Sequence, residues 1–374
     1  MGAEFVHGLP EETRTLFDLD QELVERQGEY LIADNKGLHV AHEFFQDLRK
    51  VLDRLPTEGK DDSSFTDFLK ELEPTPTPEE TQNLINYVEG YHAADPNRVS
   101  TVMLGLSEKE AEESHAVDGA FQLTKGWSPL LERFSSALSP SIRLNSVVNS
   151  ICYDSNFVQV TASTRSLDHP KITTARAALI TVPLGVLKSQ AQERGHIQFL
   201  PELPLDRKEA LGYLEMGQAL RVVFRFKKAF WDELKTVPAW SMISDLKPGQ
   251  ALRTWWPNGR LLIGWVGGPE SQKFLTLTHE EQMNQGCLMI AQLFDVPLSQ
   301  VEADLEAVHL HDWKNDEFAR GVYSYVLAGG KDAQRILAKP VEGRLFFSGE
   351  ATHVGGYSAT VNGAVLSGIR AAQE

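Results

Sequence analysis

The stretch that decides the fold runs Leu345-Phe-Phe-Ser-Gly-Glu-Ala-Thr-His-Val-Gly-Gly-Tyr-Ser-Ala-Thr-Val-Asn-Gly-Ala-Val-Leu-Ser-Gly368. A short apolar strand ends at Gly349-Glu350, a loop of small residues follows, and a helix opens near Thr360 with Gly363, Ala364, Ser367 and Gly368 along it. A carboxylate at the C-terminal end of a strand can accept hydrogen bonds from sugar-like hydroxyls, and the free amides of the next helix can receive an electron-rich oxygen. The same pattern also describes a close-packed helix with a capped entry loop. The residues of this stretch leave both readings open.

Working outward, the pattern up to about Ala137 reads as helical. Thr77-Pro78-Glu79-Glu80 combines an N-cap, a proline in the first turn and a capping-box acid. Leu84, Ile85, Val88 and Tyr91 then follow at helical spacing. Ser63 and Ser64 precede a second helical run, Phe65, Phe68, Leu69 and Leu72, and Ser107 with Glu110 predicts the opening of a third. From Ile142 the period changes to two. Residues 142–151, 157–162 and 172–182 read as strands, the last as one nearly continuous apolar run of the buried kind. Val182-Pro-Leu-Gly185 turns into a short helix. Strands dominate again over 217–266, a helix is expected over 279–294, and 307–313 reads as a strand. The fold class is α/β (mixed α+β).

The length, 374 residues, makes two domains the starting expectation, and 42% hydrophobic with 24% charged residues is an ordinary globular composition. Lys+Arg 36 against Asp+Glu 52 gives a net charge of −16. That balance argues against a nucleic-acid or anionic-membrane surface and mildly favours cationic small molecules. Cys152 and Cys287 carry no ligand spacing, so a disulfide framework and a cysteine-based metal site are both excluded, and both read as buried thiols. No apolar run approaches the ~20 residues of a membrane helix. Neither a signal nor a transit peptide is visible at Met1, so a cytoplasmic location is expected.

The 345–368 segment strongly resembles the C-terminal flavin-binding motif of the flavin-dependent amine oxidases, a family that includes monoamine, polyamine and spermine oxidases and histone lysine demethylases. The resemblance continues in order along the chain. Gly2-Ala3-Glu4-Phe5-Val6-His7-Gly8 is similar to the family's Gly-Ala-X-aromatic-X-His-Gly segment beside the flavin. Gly126-Trp-Ser-Pro-Leu130 matches the opening of its middle cofactor helix, and Val148 falls on the strand valine that meets the adenine. Val182-Pro-Leu-Gly-Val-Leu-Lys188, Phe230-Trp231, Trp313, Asp316, Gly321 and Tyr323-Ser324-Tyr325 complete the set.

The resemblance implies non-covalent FAD held by Gly2, Ala3, Glu4, Val148, Trp313, Gly349, Glu350, Thr360 and Val361. Glu350 would face the ribityl or diphosphate region, the amides near Thr360 and Val361 the pyrimidine edge, and Trp313 the isoalloxazine. Tyr323 corresponds to one wall of the aromatic cage that aligns the amine. Thr360 stands where monoamine oxidases place the second wall, as threonine does in polyamine oxidases and demethylases. His7 corresponds to a histidine of the substrate tunnel in animal polyamine oxidases. By the same resemblance an FAD-binding, incomplete Rossmann-like domain comprises residues 1–15, 126–190 and 339–374, and a mixed sheet-and-helix substrate domain residues 16–125 and 191–338. The implied reaction is hydride transfer from an amine to flavin N5, with imine hydrolysis and peroxide release to oxygen, polyamines or secondary amines being favoured.

Three departures from the family pattern stand out. Arg221 occupies the place of a lysine that holds a water against the flavin; arginine keeps the charge but cannot act as a base. Val322 stands where monoamine oxidases carry the flavin-linked cysteine. There is no Gly-X-Gly-X-X-Gly, so the family's glycine loop is expected upstream of Gly2, and weak FAD binding is the consequence. A non-catalytic homologue, and a flavin desaturase or porphyrinogen-type oxidase on the same fold, are the alternatives.

Overall fold

Residues 2–7, 11–17, 23–41, 43–59, 62–113, 120–164, 169–234, 239–247 and 249–374 are described by a computed structural model of the chain. The alternation in Ala219–Phe226 sets the larger layer. Leu220, Val222, Phe224 and Phe226 are buried on one face, while Arg221 and Val223 point to the other. This strand lies in a seven-stranded sheet ordered Leu305–Leu310, Ala219–Phe226, Leu261–Gly267, Thr254–Asn258, Trp240–Asp245, Glu29–Asp34, Gly37–Val40. All neighbours are antiparallel except Trp240–Asp245 beside Glu29–Asp34.

The helix His279–Phe294 covers the apolar face. Its N-cap Thr278 and Glu281 form a capping box, and its Gly286 is required by contact, since a Cβ there would lie 2.3 Å from the Phe224 ring. Fully buried Phe224, Phe226, Phe230, Trp231 and Trp255 make the centre of this core. Each contributes about 1.5–3 kcal/mol through its removal from water.

A second core lies under the strands Gln198–Leu200, Ser146–Tyr153, Val158–Thr164 and Lys171–Ala175, together with the parallel pair Ala178–Ile180 and Leu345–Phe347. The C-terminal helix Val361–Gln373 packs back on this pair's exit. There the hydroxyl of Ser367 accepts the Gly349 N–H at 2.9 Å and lies 3.1 Å from that of Ser348. A third, helical core is built by Phe65–Glu71, Pro78–His92 and neighbouring segments around Phe65, Leu69, Leu84 and Val88. Cys287 is buried and Cys152 partly so, and both are free thiols. Among the described residues no helix is long and apolar enough to cross a membrane.

Three sequence expectations are corrected. The first 137 residues are not uniformly helical. Glu29–Asp34 and Gly37–Val40 form a hairpin whose first strand pairs with Trp240–Asp245, some two hundred residues away, so its support is not local. The run 172–182 is not one buried strand. Lys171–Ala175 is exposed throughout as the outer strand of its sheet, and only Ala178–Ile180 enters the core, with Arg344 donating to the carbonyl of Arg176 between them. The third helix begins at Thr101, not near Ser107: the Ser100 hydroxyl caps the Met103 N–H at 3.0 Å and the Asp62 carboxylate takes the Val102 N–H at 3.2 Å.

Asp62 joins distant segments. Its carboxylate also accepts the Ser100 hydroxyl at 2.8 and 2.9 Å and the Gly329 N–H at 2.7 Å. Asp62→Ala strands these donors and is expected to destabilise the protein by roughly 1.5–3 kcal/mol. Thermal or urea unfolding checks this; a change within about 0.5 kcal/mol would show that water replaces the carboxylate without loss.

Candidate functional site

A cavity of about 1160 Å³ opens between the cores. Its near wall is the segment read first. Gly349 has a φ of +134°, a conformation that suits glycine, and a Cβ there would enter open space on this wall. The partly buried Glu350 follows. Its carboxylate accepts the Ser324 hydroxyl at 2.7 Å, the Ser324 N–H at 3.2 and 3.3 Å and the Ala359 N–H. Burial pushes its pKa up, and these bonds oppose that shift. Thr360 caps the C-terminal helix: its hydroxyl accepts the Gly363 N–H at 3.1 Å and donates to the Tyr357 carbonyl at 2.7 Å.

The aromatic side chains line the same cavity, Tyr323 next to the Ser324 that binds Glu350. The Tyr323 hydroxyl donates to the Tyr91 carbonyl at 3.0 Å, and burial raises the phenol's pKa, so the ring is held and neutral. Tyr91 stacks on Tyr87 at 5.6 Å, with planes 5° apart. Trp313 meets His311 edge-on at 4.3 Å, in a turn organised by Asp316, which binds His311 at 3.0 Å and accepts the Phe318 N–H at 2.9 Å.

Glu4 and Arg221 form one unit on the open face of the large sheet. Arg221 donates to the Glu4 carboxylate and, at 3.2 Å, to the Gly2 carbonyl, with its guanidinium 6.0 Å from the Trp256 ring centre. Glu4 also accepts from Gln122 at 2.8 Å and from Trp256 and Asn258 at 3.1 Å. The charge of Arg221 is therefore already neutralised, and Glu4 acts through positioning the first residues rather than as a free acceptor.

Gly2, Ala3, Glu4, Arg221, Trp313, Tyr323, Gly349, Glu350, Thr360 and Val361 thus share one cavity. Val148 does not line it and packs instead beside the core under the strand Ser146–Tyr153. The side chain of His7 lies outside the described residues. The amides of the capped C-terminal helix, the open space over Gly349 and the small residues Ala351, Gly355 and Gly356 fit the flat ring system of a flavin. Cys152 and Cys287 are both away from the described wall.

Sequence reasoning did not single out Glu89, Asp245, Arg253, Arg26 or Glu108, all of which line this cavity. Tyr91, which follows Leu84, Ile85 and Val88 at helical spacing, is 42% exposed and lines the cavity. Asp245 had no signal at all: it ends a strand that pairs on one side with Thr254–Asn258 nearby and on the other with Glu29–Asp34, some two hundred residues away. Glu108 accepts from Tyr87 at 2.9 Å and pairs with Arg49 at 3.1 Å.

Comparison with known proteins gives the same placement. The family model described as flavin containing amine oxidoreductase matches residues 8–374. The chain is 34% identical over 293 residues to lysine-specific histone demethylase 1 homolog 1 of Arabidopsis thaliana, a match covering 75% of this chain and 33% of that protein. The chain spans about a third or less of the length of the first curated relatives it matches. Among solved structures, cyclohexylamine oxidase from Brevibacterium oxydans superposes with a TM-score of 0.79 at 20% identity, covering 100% of this chain and 86% of that one. A putrescine oxidase with putrescine bound gives 0.78 at 18% identity, covering 100% and 87%. At such identities the likeness is one of fold.

Asp245 supplies the test of the wall's desolvation. It is fully buried, receives the Lys247 N–H at 3.2 Å and has one oxygen without a partner among the described residues. Burial pushes its pKa from 3.8 up to about 6. The folded state thus favours the protonated acid, a stabilisation fully present below the unfolded pKa and lost as pH rises through about 6. Asp245→Asn removes the loss. The variant is expected to exceed wild type in stability by roughly 2–3 kcal/mol near pH 8, the gap closing below about pH 4. Urea unfolding across that range checks it, and a gap independent of pH would refute it.

Proposed function

Because the chain belongs to the flavin containing amine oxidoreductase family, we propose that it oxidises an amine to the corresponding imine with non-covalent FAD and oxygen, acting on polyamines or secondary amines ahead of small monoamines. The observation that carries this reading is the convergence of Tyr323, Trp313, Thr360 and Glu350 on one aromatic-walled cavity beside a capped helix N-terminus. A bound flavin supplies the two-electron acceptor.

The protein's own part is alignment and dryness. Tyr323, locked by its bond to Tyr91, presents a neutral ring face against which an amine carbon chain can lie. Thr360 gives no second ring, and both functions of its hydroxyl are spent on the cap and on Tyr357. The space a second aromatic ring would fill stays open to a longer or more substituted amine. Arg221, paired to Glu4, keeps a fixed donor array at the sheet's face. The cofactor-holding part would comprise residues 1–15, 126–190 and 339–374, and the substrate part residues 16–125 and 191–338. The solved cyclohexylamine and putrescine oxidases, by their names, act on amines of both compact and extended shape, and the absence of a cysteine from the described cavity wall supports non-covalent attachment.

The test is a peroxide-coupled panel of monoamines, secondary amines and polyamines, run on the purified, FAD-supplemented protein. Turnover is expected to be greatest with polyamines or secondary amines. Activity confined to small aromatic monoamines, or none on any amine, would overturn the reading.

A further inference from the structure

The cavity wall carries six carboxylates, from Glu4, Glu89, Glu108, Glu112, Asp245 and Glu350, and four guanidiniums, from Arg26, Arg49, Arg221 and Arg253. Most are committed. Arg221 pairs with Glu4, and Arg49 pairs with Glu108 and Glu112, each at 3.1 Å. Glu350 is occupied by Ser324 and Ala359. Glu89 is different: among the described residues no donor reaches its carboxylate within hydrogen-bond distance, and no cation stands within 4 Å of it.

The position of Glu89 is nevertheless fixed. It lies in the last turn of Pro78–His92, where the Gly90 carbonyl accepts the Trp265 indole N–H at 2.9 Å. The strand Leu261–Gly267 approaches so closely that a Cβ on Gly267 would sit 1.9 Å from the Glu89 carbonyl oxygen. Two residues further on, Tyr91 receives the hydroxyl of Tyr323. The carboxylate is thus held on the same helical turn that anchors the aromatic wall, roughly 3 Å of helix rise from it.

The surroundings leave that carboxylate short of positive charge. Facing it are Arg253 and Lys273, against Glu270 and Asp95. Lys273 is tied to Glu270 at 2.7 Å, so Arg253 is the uncommitted cation of this group, and the acid Asp245 on the neighbouring strand also draws on it. Trp265, whose indole N–H bonds the carbonyl of the adjacent Gly90, and Tyr91 line the same cavity.

We propose that Glu89 anchors a second ammonium group of the substrate, so that the chain selects diamines and longer polyamines over monoamines of equal length. This rests on the amine-oxidising reading and adds to it the residue that sets substrate class. An ammonium ion placed there gains a charge-assisted hydrogen bond and aromatic contact in a partly desolvated site. Burial raises Glu89 to about 7, so its anchoring charge develops as pH rises through neutrality.

The experiment is calorimetric titration of the full chain under nitrogen with 1,4-diaminobutane and with 1-aminobutane, for wild type, Glu89→Gln and Glu89→Asp. Wild type is expected to bind the diamine at least about tenfold more tightly than the monoamine. The ratio should rise between about pH 6 and pH 8, fall to about one in Glu89→Gln, and be partly kept in Glu89→Asp. Thermal midpoints of the variants verify folding. A ratio that Glu89→Gln leaves intact, or a wild type without diamine preference, overturns the anchor. Peroxide assays in parallel separate the two readings. Turnover with an unaltered ratio sinks the anchor and keeps amine oxidation; a Glu89-dependent ratio without turnover keeps the anchor and sinks oxidation.

Discussion

Glu350 accepts donors from two parts of the chain at once, Ser324 from the strand Ser324–Val326 and Ala359 from the loop before the C-terminal helix. Because the next residue back from Ser324 is Tyr323, which donates to Tyr91, one carboxylate fixes a path from the C-terminal loop to the helix Pro78–His92. Each link is a bond from a hydroxyl or amide to an oxygen, and leaving any donor unpaired here would cost about 1–3 kcal/mol. The cavity's near and aromatic walls keep their spacing through this path. Glu110 adds a brace from the helix Thr101–Glu113, accepting the Gly356 N–H, and side chains at Gly355 and Gly356 would collide with it.

Charge on the wall is distributed by the same economy of partners. Where acid and base meet, as in Glu4 with Arg221 and Glu108 with Arg49, the pair also holds backbone or aromatic groups in place. Where burial is not matched by a partner, the carboxylates of Asp245 and Glu89 shift towards neutrality, to about 6 and about 7. Structural acids are thereby distinguished from acids left in want of a cation. This contrast, rather than the overall charge of −16, is what sets the acids of the wall apart from one another.

What could be read from the sequence was local. The capping box at Thr77, the Ser64 cap, the helix His279–Phe294 and the strand–turn–helix around Gly349-Glu350 all follow from patterns a few residues long, and the structure has them where those patterns stand. The hairpin Glu29–Asp34 with Gly37–Val40 escaped because its strand is stabilised by parallel pairing with Trp240–Asp245. The start at Thr101 escaped because half of its cap is Asp62, which no window around Ser107 contains. For the site, the motif residues were legible, but their partners were not: nothing near Arg221 in the sequence points to Glu4, and nothing near Glu89 points to Trp265 or Arg253.

The depth of the cavity follows from packing rather than from loop length. The helix Pro78–His92 touches the strand Leu261–Gly267 so closely that Gly267 and Gly268 admit no side chain beneath Glu89. Across the sheet, the Asp245 N–H bonds the Arg253 carbonyl at 2.7 Å and the Arg253 N–H the Trp265 carbonyl at 2.9 Å. One rung of the sheet therefore carries Asp245, Arg253 and Trp265 side by side, with Glu89 seated at its end. The distance from this rung to Tyr323 is set by a helix turn and a strand spacing, both stiff quantities. The occupant proposed above would therefore be measured by length, because shifting either end would require breaking regular secondary structure rather than bending a loop.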